Sequence, residues 1–312
     1  MRHRNRTDEP GFAARRLSEE NLRGILLPFP TPFEIEGRTD EHSLRLNIER
    51  WNELGITGYV VAGSTGERVH LAERECLRAI EIAREVVAER LAFIVGVGQQ
   101  GTLATLDEAR QVAQAGADAI LTITPHFYKS EMTQNALVNY YTAVADASPV
   151  PVLLYSVPHL TGVTIAPETI ARLSEHENII GVKDSSGDIL ALAETVRLVS
   201  GDFAVLTGNG SALYPALCVG ARGGILAIGC AAPRLAVAIY DAYQAGEHER
   251  ARTLQQRLTR LTRVILVRYG ISGLKAALDM LGYAGGHVRA PLQDASEEAR
   301  REIAAVLKEI GI

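Results

Sequence analysis

Cysteine is scarce in this chain of 312 residues, with Cys76, Cys218 and Cys230 the only three. They are odd in number, form no CxxC pair and have no histidine at metal-ligand spacing. That pattern predicts reduced thiols in a cytoplasmic protein, with neither a disulfide nor a structural metal site. No apolar run approaches the roughly 18 residues that a membrane span requires, and no segment is of low complexity. A formal net charge of −5 and a pI near 5.9 leave no basic footprint for nucleic acid or anionic lipid. No GxGxxG follows the first strand-like run, which argues against a dinucleotide-binding doubly wound sheet. Residues 1–16 are rich in arginine but include Asp8 and Glu9 and lack an apolar stretch. They match neither a secretory signal nor an acid-poor transit peptide, and residues 1–20 are expected to be a peripheral segment.

What is present is a large apolar share, 47% of residues, arranged in a repeating order. Short β-branched runs alternate with segments of helical period from Gly24 to about Gly246. The strand candidates are 24–29, 58–62, 92–97, 117–123, 152–155, 179–183, 203–206 and 223–228. Helical stretches include 41–54, 72–88, 103–115 and 189–199, and several segments stop at a glycine such as Gly55, Gly116 or Gly220. Strands that read as nearly continuous apolar runs are covered on both faces, as in a parallel sheet wrapped by helices. Eight such units predict an α/β fold: an eight-stranded parallel β/α (TIM) barrel over 21–246, followed by a C-terminal helical extension over 247–312. Three further helices are expected there, near 251–269, 274–281 and 296–308.

Lysine is rare too, confined to Lys129, Lys183, Lys275 and Lys308, and Lys183 occupies a costly position. It closes the apolar run Asn178-Ile179-Ile180-Gly181-Val182-Lys183 and precedes Asp184-Ser185-Ser186-Gly187-Asp188. A lysine at the end of a buried strand either snorkels into water or serves as a desolvated amine able to attack a carbonyl and form a Schiff base. In a parallel barrel the active site is built at the C-terminal strand ends. The second strand ends in Gly63-Ser64-Thr65-Gly66-Glu67, whose amides and hydroxyls suit a carboxylate at the start of the next helix. The fifth ends in Tyr155-Ser156-Val157-Pro158, which puts a phenol at the same rim. Amine, phenol and carboxylate cradle together describe a site for a small 2-oxo acid. Gly208-Asn209-Gly210-Ser211 reads as a tight turn lining that site rather than as a phosphate loop.

These motifs, with Thr161-Gly162 and Ile180-Gly181-Val182-Lys183-Asp184, resemble those of the N-acetylneuraminate lyase and dihydrodipicolinate synthase superfamily. The resemblance implies a β/α barrel, metal-free class I pyruvate chemistry without a cofactor, and a homotetramer built as a dimer of dimers. It implies Lys183 as the Schiff-base lysine, Tyr155 as the proton-transfer residue, and Ser64 and Thr65 as the cradle for the pyruvate carboxylate, with Ser185, Gly208 and Ile225 also expected to bind substrate. Two positions depart from the synthase pattern. Leu160 stands where synthases carry an arginine for the carboxylate of aspartate semialdehyde, and Phe127 stands where many members carry a relay tyrosine. A phenyl ring cannot relay a proton, leaving His126, Tyr128 or water for that task. The stretches around Ser148–Pro158 and Tyr269–Lys275 look most like those of 4-hydroxy-2-oxoglutarate aldolases, which cleave their substrate to pyruvate and glyoxylate. That cleavage is the first expectation. The alternatives are 4-hydroxy-tetrahydrodipicolinate synthesis, a sugar-acid aldolase or dehydratase, and a non-catalytic 2-oxo-acid sensor.

Overall fold

The computed structural model describes Leu17 and residues 22–312, so the expectation for residues 1–20 otherwise lies outside the described residues. Eight strands follow the apolar runs: β1 (Gly24–Pro28), β2 (Gly58–Val61), β3 (Ala92–Val97), β4 (Ala119–Ile123), β5 (Val152–Ser156), β6 (Ile179–Asp184), β7 (Ala204–Thr207) and β8 (Gly223–Ile225). All pairings are parallel and sequential, and β8 returns to β1 to close the barrel. The closing seam requires glycine, because a Cβ on Gly223 would overlap the Gly24 carbonyl oxygen.

Alternation of side chains along each strand divides the core in two. Leu26, Val60, Ile94, Leu121, Leu153, Tyr155, Leu206 and Ile225 fill the inside of the barrel. Ile25, Leu27, Tyr59, Phe93, Ile120, Val152 and Val205 face outward against the helices. Those helices are α1 (Glu41–Trp51), α2 (Glu73–Val86), α3 (Thr102–Gln114), α4 (Gln134–Ala147), α5 (Pro158–Thr161), α6 (Pro167–Leu173), α7 (Ile189–Leu198), α8 (Leu213–Cys218) and α9 (Pro233–Gln244). Three of their starts are set by side chains that accept orphan amides: Asp40 from Ser43 at α1, Thr133 from Ala136 at α4, and Asp188 from Leu190 and Ala191 at α7. Among the described residues, no helix is long and apolar enough to cross a membrane.

Beyond the barrel lie α10 (His248–Thr262), α11 (Gly270–Met280) and α12 (Glu297–Ile310). The expected helix over 251–269 is not one α-helix. Its last part, Arg263–Arg268, winds as a π-helix, a change of hydrogen-bond partner from i→i+4 to i→i+5 that no residue type in the segment announces. Strand β8 is also shorter than the expected 223–228 run, since Ala227–Cys230 turns into a 3-10 segment.

Candidate active site

Strands β5 and β6 carry the two central groups. Parallel register puts Tyr155 opposite Lys183 and Ser156 opposite Asp184, so phenol and amine rise from neighbouring strands at the same height. Lys183 Nζ lies 4.3 Å from the centre of the Tyr155 ring, within cation–π range. Both side chains are buried, at 5% and 6% exposure. The sequence left open whether Lys183 snorkels into water, and its burial rules that out.

The surroundings act on the phenol in opposite directions. Burial raises the Tyr155 pKa, but the neighbouring Lys183 and hydrogen bonds with Ser64, Ser185 and Lys183 outweigh burial, and the phenol ends below its ordinary value of 10.0. The Ser64 hydroxyl is 3.5 Å from the phenol oxygen, at the long limit of a hydrogen bond. A buried tyrosine with a lowered pKa exchanges protons more readily near neutral pH than an ordinary one.

Ser185 and Gly208 complete this side of the site. The Ser185 amide donates to the Ser156 carbonyl at 2.8 Å, and the Gly208 amide donates to the Asp184 carbonyl at 2.6 Å, so both loops continue the strand pairing one step past the barrel. Gly208 has to be a glycine. A Cβ there would overlap the Ser185 hydroxyl and stand 3.0 Å from both Ser185 Cβ and Lys183 Cε. The following residues form the expected tight turn, with the Asn209 side chain accepting from the Ser211 amide at 2.9 Å. Ile225 ends β8 and is wholly covered within the inner core.

The loop after β2, the expected carboxylate cradle, is strained. Ala62 (φ 52°) and Glu67 (φ 55°) bracket Gly63-Ser64-Thr65-Gly66, and they are the only non-glycine residues with positive φ among the described residues. Such backbone persists only where its surroundings over-determine it, and it gathers at functional sites. Within the loop, Gly66 and Glu67 donate back to Gly63 and Ser64, whereas no protein acceptor takes the amides of Ser64 or Thr65 among the described residues. Two free amides beside two hydroxyls suit a carboxylate. The expected helix start does not contribute. A three-residue 3-10 turn (Arg68–His70) follows the loop, α2 begins only at Glu73, and Glu75 already accepts the Ala72 amide there at 2.8 Å.

The two departures lie on the outer rim. Leu160, in the single turn of α5, is 59% exposed, and Phe127 is 74% exposed. Phe127 meets Tyr128 edge to face, with ring centres 5.0 Å apart. Gln100 Oε1 accepts the amides of His126 and Phe127, each at 2.8 Å, and so fixes this loop from β3. Sequence reasoning missed Glu67 and Gln100 as supports of the site. It also missed Lys129, whose side chain rests on Gly162, with Nζ 4.0 Å from where a Cβ would stand.

Comparison with known proteins agrees with this geometry. A model of the dihydrodipicolinate synthetase family matches residues 21–310. The chain is 33% identical over 291 residues to the 4-hydroxy-tetrahydrodipicolinate synthase of Syntrophus aciditrophicus, covering 93% of this chain and 99% of that one. It is 35% identical over 287 residues to the synthase of the same name from Methanothrix thermoacetophila, covering 92% and 96% of the two chains. Its fold matches the dihydrodipicolinate synthase of Acinetobacter baumannii complexed with pyruvate at a TM-score of 0.89 and 29% identity, over 93% of this chain and 99% of that one. Because the match runs through the barrel and the C-terminal helices alike, the chain belongs to the dihydrodipicolinate synthetase family.

Proposed function

We propose that the chain is a class I pyruvate-dependent enzyme that condenses pyruvate with aspartate semialdehyde, a reading supported by relatives named 4-hydroxy-tetrahydrodipicolinate synthase. The observation that carries the class of chemistry is the buried Lys183 amine held 4.3 Å from the Tyr155 ring. In this reading the neutral amine attacks C2 of pyruvate and water leaves with the help of a proton from Tyr155, giving an iminium. Loss of a C3 proton yields the enamine, whose C3 attacks the aldehyde carbon while the aldehyde oxygen takes a proton. Attack on the imine carbon by the amino group of the new chain then closes a ring and frees Lys183. Ser64 and Thr65 hold the pyruvate carboxylate throughout, and charge on the reacting centre is carried by the iminium.

The names of the relatives favour this synthase reading over the cleavage of 4-hydroxy-2-oxoglutarate expected from the sequence motifs. A cation is still needed for the second carboxylate, since Leu160 supplies none. Lys129, lying on Gly162 of the same α5 turn and without an ion-pair partner among the described residues, is a cation within reach of that rim. Leu160 remains the one observation in favour of the aldolase reading, because that subgroup also dispenses with the arginine. We read the exposed Phe127–Tyr128 face as the surface a second subunit covers in a homotetramer.

A side-by-side turnover assay separates the two substrates, with Lys183→Ala as the blank. Condensation of pyruvate with aspartate semialdehyde, absent in the blank, supports the synthase. Release of pyruvate from 4-hydroxy-2-oxoglutarate without any condensation transfers the assignment to the aldolase.

A further inference from the structure

The strained cradle loop is gripped from behind by the C-terminal helical region. Glu67, the left-handed residue that ends the loop, turns its carboxylate away from solvent and is fully buried. Its Oε1 accepts from Lys275 Nζ at 2.6 Å, and its Oε2 accepts from the Arg289 amide at 3.0 Å and lies 3.2 Å from His70 Nδ1. Lys275, on α11, is as deeply buried as its partner. It also donates to the His287 carbonyl at 2.6 Å and lies 4.4 Å from the centre of the Phe33 ring. The Arg289 guanidinium covers the same ring at 4.4 Å and makes two bonds to Glu75, at 2.7 and 2.8 Å. On the loop's other side, the Thr31 hydroxyl donates to the Gly66 carbonyl at 2.8 Å.

We propose that the buried Glu67–Lys275 ion pair is the device by which the C-terminal helices hold the Ser64–Thr65 loop in its carboxylate-binding shape, which makes Lys275 a positioning residue for the acid group of the substrate. The proposal rests on the reading of Ser64 and Thr65 as the cradle. The physical reason is that a left-handed, non-glycine backbone at Glu67 reverts unless something over-determines it. A neutral contact would not serve as well. A buried carboxylate without a cation is strongly disfavoured, so the charge pair admits essentially one position for the end of the loop. Burial lowers the Lys275 pKa, with Glu67 opposing that shift, so the amine is bound to its partner rather than to water.

The test uses borohydride, which adds hydride to the iminium carbon and leaves a stable secondary amine on Lys183. Trapping is compared for two carbonyl probes, pyruvate and acetone, which lacks the carboxylate. Lys275→Met is expected to raise the half-saturating pyruvate concentration roughly tenfold or more, the equivalent of one lost charge-assisted hydrogen bond, while trapping with acetone stays within about twofold of wild type. Lys275→Arg, which keeps the charge, should restore part of the pyruvate preference. A merely structural lysine would weaken both probes in proportion, or move only the melting temperature, and either result overturns the proposal. Should Lys275→Met fail to fold, Glu67→Gln is read on the same ratio. Thr65→Val is the control for the cradle itself. If it leaves the pyruvate-to-acetone ratio unchanged, the cradle reading fails; if it lowers the ratio while Lys275→Met and Glu67→Gln do not, only the clamp fails.

Discussion

Gly208→Ala perturbs the proposed catalytic amine without replacing any ionisable group. The added Cβ would overlap the Ser185 hydroxyl and lie 3.0 Å from Ser185 Cβ and from Lys183 Cε. Rotation of the serine hydroxyl relieves the first contact but neither of the others, so the two side chains or the β7 loop must shift by several tenths of an ångström. Overpacking of this kind costs about 1–3 kcal/mol of stability. Its effect on chemistry is larger, because a displacement near 1 Å at a reacting group costs up to about 10²-fold in rate. The assay is the rate of pyruvate-dependent borohydride trapping followed by intact mass, with far-ultraviolet circular dichroism to verify the fold. The expected result is a drop in trapping of roughly ten- to a hundredfold at unchanged secondary structure. Adding Ser185→Ala removes the hard overlap and leaves the 3.0 Å contact with Lys183, so the double variant should recover stability more than trapping rate. Trapping by Gly208→Ala at the wild-type rate would refute the placement of Lys183 beside Gly208.

Tyr155→Phe removes only a hydroxyl, so the fold should persist while steady-state turnover falls by about 10²- to 10⁴-fold; an unchanged rate reduces Tyr155 to a packing residue. Burial raises the Tyr155 phenol, but Lys183 and its hydrogen-bond partners bring it below 10.0, so the alkaline limb of the pH–rate profile should lie below pH 10. Ser64→Ala deletes a hydrogen bond that favours the phenolate and should move that limb upward; a limb that stays put or moves down contradicts this account of the phenol. Leu160→Arg should lower the KM for aspartate semialdehyde about tenfold, the worth of a charge-assisted contact near 1.5 kcal/mol, with little change in the KM for pyruvate. An unaffected aldehyde KM would place the second carboxylate elsewhere on the rim.

The barrel was legible in the sequence because each strand is covered on both faces and so reads as a short apolar block bounded by glycine or a helical segment. Lys183 stood out for the complementary reason, a charge at the end of such a block. Tyr155 gained significance only once a barrel was assumed, since a lone phenol after Leu153-Leu154 is more often core. The supports of the site were hidden by sequence distance. Glu67 and Lys275 are 208 positions apart, and nothing local to either predicts a buried ion pair. Gly208 was recognised as part of a turn, but its close approach to Lys183 is a three-dimensional fact that Gly-Asn-Gly-Ser does not encode. The same holds for the single turn of α5, which carries Leu160 and follows from Pro158 at a helix start and left-handed Gly162 at its end.

Covalent trapping followed by peptide mapping tests the central claim most directly. The chain contains only four lysines, so reduction in the presence of pyruvate gives an unambiguous map. A single modified peptide carrying the adduct on Lys183 is expected, with loss of that adduct in Lys183→Ala. An adduct on Lys129, Lys275 or Lys308 instead, or saturable pyruvate binding with no adduct at all, would contradict it.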